Sequence, residues 1–204
     1  MSLPQTTLLA LHYQNDVLHP EGRIRVGLGA RSERREPLLA AARALLAGAR
    51  ARGYPIVHVR IAFRPDQADL IANCPLFRNV AALRAMEEGS WGAQFFEGLE
   101  PDAASAREFV LTHQRVNAFY GTPLDAILRV TGARRLIVAG VATYSVVEST
   151  VRHAADVGFS IHVAADACAA AEPAVHEASL ATMRLLAEVG DVAAALAQAT
   201  GEGA

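Results

Sequence analysis

The sequence predicts an α/β protein, a mainly parallel sheet covered by helices on both faces in three layers, and three observations predict it. Short apolar runs recur along the chain, each separated from the next by a longer alanine-rich stretch punctuated by arginine. That is the pattern of buried parallel strands alternating with amphipathic helices. The helical stretches close on glycine before the next apolar run begins. Alternation of this kind implies right-handed crossovers and a ligand site just beyond the carboxyl ends of the strands.

The first strand is read at residues 7–11 (TLLAL). A helix follows at 37–52, where leucines recur at helical spacing and Gly53, Tyr54 and Pro55 supply the stop. Residues 56–61 (IVHVRI) complete a strand, helix, strand unit. Residues 63–101 break the rhythm with Pro65, Pro75, Gly89, Trp91 and the acidic pair Glu87 and Glu88. An excursion of that length is expected to cover or line the site. A short strand at 109–112 (FVLT), a helix at 123–130 closed by Gly132, and a strand at 136–139 (LIVA) come next. A helix at 147–157 closed by Gly158, a strand at 161–164 (IHVA) and a helix at 173–189 closed by Gly190 complete the pattern. The closing GEGA reads as a frayed end. One domain over residues 1–204 is the expectation, large enough to need neither metal nor disulfide to hold its core.

All 19 basic residues are arginine, and the chain contains no lysine. This excludes a lysine Schiff base, a lysine general base and a phosphate-loop lysine. Against 21 acidic residues the formal charge is −2, so no nucleic-acid or acidic-lipid partner is indicated. The expected partner is a small molecule or another copy of the chain, with no membrane association. Cys74 and Cys168 lie far apart without a CxxC pattern, which fits a reducing cytosol and two small apolar residues rather than a disulfide framework or zinc site. The opening MSLPQTTLLALHYQND lacks a basic n-region, and His12 interrupts its apolar run. No signal peptide or membrane span is supported, and a cytoplasmic protein is expected.

At the expected carboxyl ends of the strands stand LALHYQNDV, LTHQRVNAFYGTPLDAIL and IVAGVATYSVVEST. With GSWGAQFFEGLEP at residues 89–101 and the later HVAADACAA, these blocks resemble the isochorismatase-like hydrolase superfamily, also called the cysteine hydrolases, in order and spacing over residues 8–189. The resemblance implies six parallel strands flanked by helices, homodimers or homotetramers, no cofactor, and hydrolysis of small molecules such as amides. It also implies a triad: an aspartate base after the first strand, a lysine after the third and a cysteine nucleophile opening the helix after the fourth. Laid onto this chain, those positions hold His12, His113 and Val146. Asp16 matches a second, structural aspartate.

A valine attacks nothing, and neither cysteine lies in a matching block, so thioester catalysis of the family kind is excluded. Three readings follow. In the first, His12 and His113, on adjacent strand ends, activate water as general base and acid. In the second, the chain is a catalytically inactive relative kept for ligand binding or assembly. The third, a metal held by these histidines and a third ligand, has no local ligand spacing behind it, and no metal is expected. The resemblance further places a cis peptide at about Ala142 to Thr143 and an oxyanion-stabilising turn at Ala142, Thr143 and Val146. Tyr13, Phe63, Trp91 and Tyr144, with Tyr120, are read as aromatics near the mouth, suited to a flat or partly apolar ligand. Ser145, with Glu148 three residues on, reads as a capping box, and Arg115 and Asn117 as braces of the third strand end.

Overall fold

In the computed structural model, which describes residues 5–198, six parallel strands form one sheet in the order β3-β2-β1-β4-β5-β6. They are β1 (Thr6–Leu11), β2 (Ile56–Ile61), β3 (Glu108–His113), β4 (Arg135–Val141), β5 (Ser160–Ala169) and β6 (Glu188–Gly190). The closing GEGA lies outside the described residues. β1 is central and wholly buried, with Leu8 opposite Ile56 on one side and Ile137 on the other. A strand covered on both faces has no polar face to alternate, hence the unbroken apolar runs.

The helices are α1 (Asn15–Leu18), α2 (Arg35–Ala51), α3 (Pro75–Leu83), α4 (Leu124–Val130), α5 (Glu148–Asp156), α6 (Pro173–Met183) and α7 (Val192–Gln198). Helix α2 buries Leu38, Leu39, Ala42, Leu45, Leu46 and Ala49, the three-and-four spacing of one face. Gly53 follows its C-cap with φ 65°, a left-handed conformation that costs glycine nothing. From β1 the chain crosses to β2 in one direction, and from β4 it crosses to β5 in the other. Crossovers of one hand running opposite ways put α2 and α5 on opposite faces. The order reverses between β1 and β4, and a crevice opens beyond the strand ends at such a point.

Two sequence expectations change. The final helix was expected to run over 173–189, but it ends at Met183, and Glu188–Gly190 form the sixth strand. Three residues carry no readable period, so an edge strand this short merges with the helix before it. His12 and His113 were expected on adjacent strand ends, yet β2 lies between β1 and β3.

Candidate active site

His12 is the first residue beyond β1, and its φ of 57° is left-handed, a region where histidine is enriched over most side chains. His113 is the last residue of β3. Although β2 separates their strands, the imidazoles meet across its end, Nε2 to Nε2 at 2.6 Å, and both residues are buried. His113 Nδ1 lies 3.3 Å from the Asn117 carbonyl. A carbonyl can only accept, so Nδ1 carries the proton of the neutral ring, and His113 Nε2 accepts from His12 Nε2–H. The lone pair of His12 Nδ1 is then the basic atom left over, on a residue that lines a cavity.

Both rings are held neutral. Burial, and then the charge His113 would carry, push His12 well below the usual histidine range. Burial also pushes His113 down to about 4, opposed by the Asn117 carbonyl. The unfolded rings take up protons near pH 6.5 and the folded pair does not, so this stability is complete above about pH 6.5 and is lost as pH falls toward 4. Urea unfolding of the wild type is expected to lose on the order of 3 kcal/mol more over that window than the His12→Asn/His113→Gln double variant. Equal slopes would show that the pair is not buried and neutral.

The cavity has a volume of about 40 Å³ and is lined by the ends of β1, β2 and β4 at His12, Ile61, Val141 and Ala142, together with Ser145 and Arg115. Val17, Ile24 and Val26 close one side, and Leu76, Phe77, Val80 and Met86 from the 63–101 excursion close another. The excursion therefore lines the site. It is fastened by the residues after His12. Gln14 Nε2 donates to the carbonyls of Ile61 and Ala93, each at 2.9 Å, while its Oε1 accepts from Ile61 N–H at 2.8 Å. Asn15 Nδ2 donates to Trp91 O, and the Asp16 carboxylate accepts from Arg23 N–H and Met86 N–H. A Cβ on Gly92 would stand 2.2 Å from Asp16 Oδ2, whose carboxylate is already held by two amides. Gly92→Ala is accordingly expected to destabilise by about 1–3 kcal/mol, read as a lowered urea midpoint at unchanged slope; an unmoved midpoint would contradict the clamp.

The other expected site residues are placed as follows. Val146 is buried in the core at the π-helical turn Thr143–Val147, and Thr143 is buried with its hydroxyl 2.8 Å from His176 Nδ1. Neither is among the residues that line the cavity. Tyr13 is a core residue whose hydroxyl donates to Ala167 O at 2.6 Å, and Phe63 packs edge-on against Phe77. Trp91 and Tyr144 are substantially exposed, Trp91 meeting His19 edge-on, and Tyr120 is exposed as well. None of these five aromatics lines the cavity. The cis peptide joins Val141 to Ala142, one bond earlier than expected.

Ser145 does not cap a helix. α5 begins at Glu148 with Val147 as its cap, and Glu148 instead accepts from Ser179, Thr182 and Arg152. Ser145 is one wall of the cavity. Arg115 is also a wall residue, stacked 4.2 Å over Phe77 and donating to Ile71 O and Asn73 Oδ1. From the sequence it was expected as a brace of the third strand end, and for Ile24, Val26 and Met86 there was no local signal. Among the described residues, no three His, Cys, Asp or Glu side chains gather as a metal site, and no helix is long and apolar enough to cross a membrane.

A family model described as an isochorismatase domain matches residues 6–194. Ureidoacrylate amidohydrolase RutB of Methylobacterium radiotolerans is 30% identical over 94% of this chain and 78% of that protein. YecD of Escherichia coli O157:H7, an uncharacterised isochorismatase family protein, is 32% identical over 67% of this chain and 69% of its own. Among solved structures, an isochorismatase family protein from Desulfovibrio vulgaris aligns with a TM-score of 0.82 and 29% identity, covering 94% of this chain and 96% of that one. A cysteine hydrolase from Pseudomonas syringae shares the fold, with a TM-score of 0.83 and 21% identity over 98% and 94% of the two chains.

Proposed function

Because the chain belongs to the isochorismatase-like hydrolase family, we propose that it hydrolyses a small molecule with water activated by the His12–His113 pair in place of a cysteine nucleophile. The observation that carries this reading is the 2.6 Å bond that His113 makes to His12, the one of the two that lines the cavity. The tautomers it imposes leave His12 Nδ1 to accept a proton from water. Burial beside His113 holds His12 well below the usual histidine range, so the base stays uncharged in an apolar site.

Hydroxide adds to the electrophilic carbon as His12 Nδ1 takes the proton, and the same nitrogen returns that proton to the leaving group. Ser145 N–H is already donated to Ala142 O, so the developing oxyanion falls to the Ser145 hydroxyl and to other amides at the start of the turn. At about 40 Å³ the cavity holds the reacting end of a substrate rather than the whole of it. Its walls favour an apolar reacting end, and Arg115, the one permanently charged wall residue, favours an anionic group nearby. The ureido acid named for the RutB relative is one candidate class.

A second reading, ligand binding without chemistry, is favoured by the same narrow apolar lining. One assay separates the two: a panel of small amides, ureido acids, esters and vinyl ethers tested on the wild type, His12→Ala and His113→Ala. Turnover by the wild type that falls in both variants supports the hydrolase. Turnover unchanged in both refutes the histidine assignment, and no turnover on the panel supports the binding reading.

A further inference from the structure

A second cavity, of about 560 Å³, lies apart from His12 and His113. It is framed by the start of α2, by β5 and by α6, with Leu38, Ala169, Leu180 and Val189 as apolar wall. That volume lies within the range of small-molecule sites, whereas the first cavity falls well below it. Two guanidiniums, Arg34 and Arg184, and three carboxylates, Glu33, Asp166 and Glu177, share its lining. Among the described residues neither arginine is in an ion pair with them. Arg34 Nη1 is buried with no hydrogen-bond partner. A buried guanidinium nitrogen left unbonded is costly, and a ligand carboxylate relieves that cost with a charge-assisted bond. Three carboxylates in the same lining oppose a simple anion and favour a ligand that also carries a positive end.

This cavity has two connections toward the first site. His176 lines it, and His176 Nδ1 shares its 2.8 Å bond with the hydroxyl of Thr143, the first residue of the turn that carries Ser145. On the other side, Cys168 and Ala169 of the cavity pair with Gly140 and Val141 of β4, and Val141 lines the first cavity. We propose that this second cavity binds a small zwitterion, its carboxylate on Arg34 and its cationic end toward the lining carboxylates of Asp166 and Glu177, and that occupancy is felt at the first site through His176 and Thr143.

The test is titration of the wild type with γ-aminobutyrate, butyrate and butylamine, followed by imidazole NMR and calorimetry. γ-Aminobutyrate is expected to saturate and to shift His176, with butyrate and butylamine each weaker by about tenfold or more. Arg34→Gln should weaken γ-aminobutyrate by at least about tenfold while melting like the wild type. Arg115→Gln, in the first cavity, should bind normally. Thr143→Val should still bind but no longer pass a shift to His12 and His113. No saturation below about 20 mM, equal binding by Arg34→Gln, equal binding of butyrate, or loss of binding in Arg115→Gln would each overturn the proposal.

Discussion

Replacing His12 with asparagine is expected to lower turnover of any substrate the wild type hydrolyses by about 10²–10⁴-fold, the range lost with a positioned general base. Asparagine is the informative choice, because it tolerates the left-handed φ of 57° at this position and removes the basic nitrogen without straining the backbone. The loss should fall on kcat rather than KM, since the proton moves only as water attacks. The pH profile is a second readout. His12 works as the unprotonated ring, and burial beside His113 holds its pKa well below the usual histidine range. The acid limb of wild-type activity should therefore lie well below pH 6.5, with activity rising as pH rises through it. The residual activity of the variant should lack that limb. Wild-type rates with the same limb in His12→Asn would remove His12 from the chemistry.

The largest effect on stability is expected at the opposite end of the sheet. Glu108 begins β3, and its side chain is almost wholly covered. Arg50 holds it with two bonds, of 2.7 Å and 3.0 Å, His58 Nε2 donates at 2.8 Å, and Asp102 N–H donates at 2.9 Å. Burial alone would raise the carboxyl, but these four donors together bring it down to about 2. His58 stays neutral, lowered chiefly by burial, and so donates without adding a buried charge. Glu108→Ala leaves His58 Nε2 without an acceptor in a covered site and releases Arg50 from β3. The expected cost is about 3 kcal/mol, read as a fall of roughly 10 °C in melting temperature for a chain of this length. Because the cluster is bound only when ionised, its contribution is present above the ordinary glutamate pKa and is lost as pH falls toward 2. Activity per folded molecule should be unchanged, since no residue of the cluster lines either cavity. A melting temperature within a degree or two of the wild type would show that the cluster is solvated rather than buried.

Most of the sheet was legible because its strands are long enough to carry a pattern. LLAL and LIVA are apolar throughout, since both faces are covered, and Gly53, Gly132 and Gly158 mark helix ends with the left-handed backbone that favours glycine. β6 escaped for the opposite reason: three residues of an edge strand look like the end of the helix before them. At the site, the block HYQND marked His12, and its Gln14, Asn15 and Asp16 proved to be fasteners for a wall seventy or more residues further on. Ser145 and Glu148 had the spacing of a capping box, but the chain takes a π-helical turn first, so α5 starts at Glu148 itself.

By itself, then, the sequence determined the α/β alternation, the absence of lysine chemistry, the family resemblance and the identity of the side chains after β1, β3 and β4. These are properties of local pattern and of residue type, which the chain carries before it folds. Only the tertiary structure decided that His12 and His113 bond directly across β2, which nitrogen of His12 remains free, that Tyr13 and Phe63 are core, and that Arg34, lining the second cavity, leaves its Nη1 without a hydrogen-bond partner. Each of these depends on groups distant in sequence, and burial among them sets both protonation state and hydrogen-bond supply.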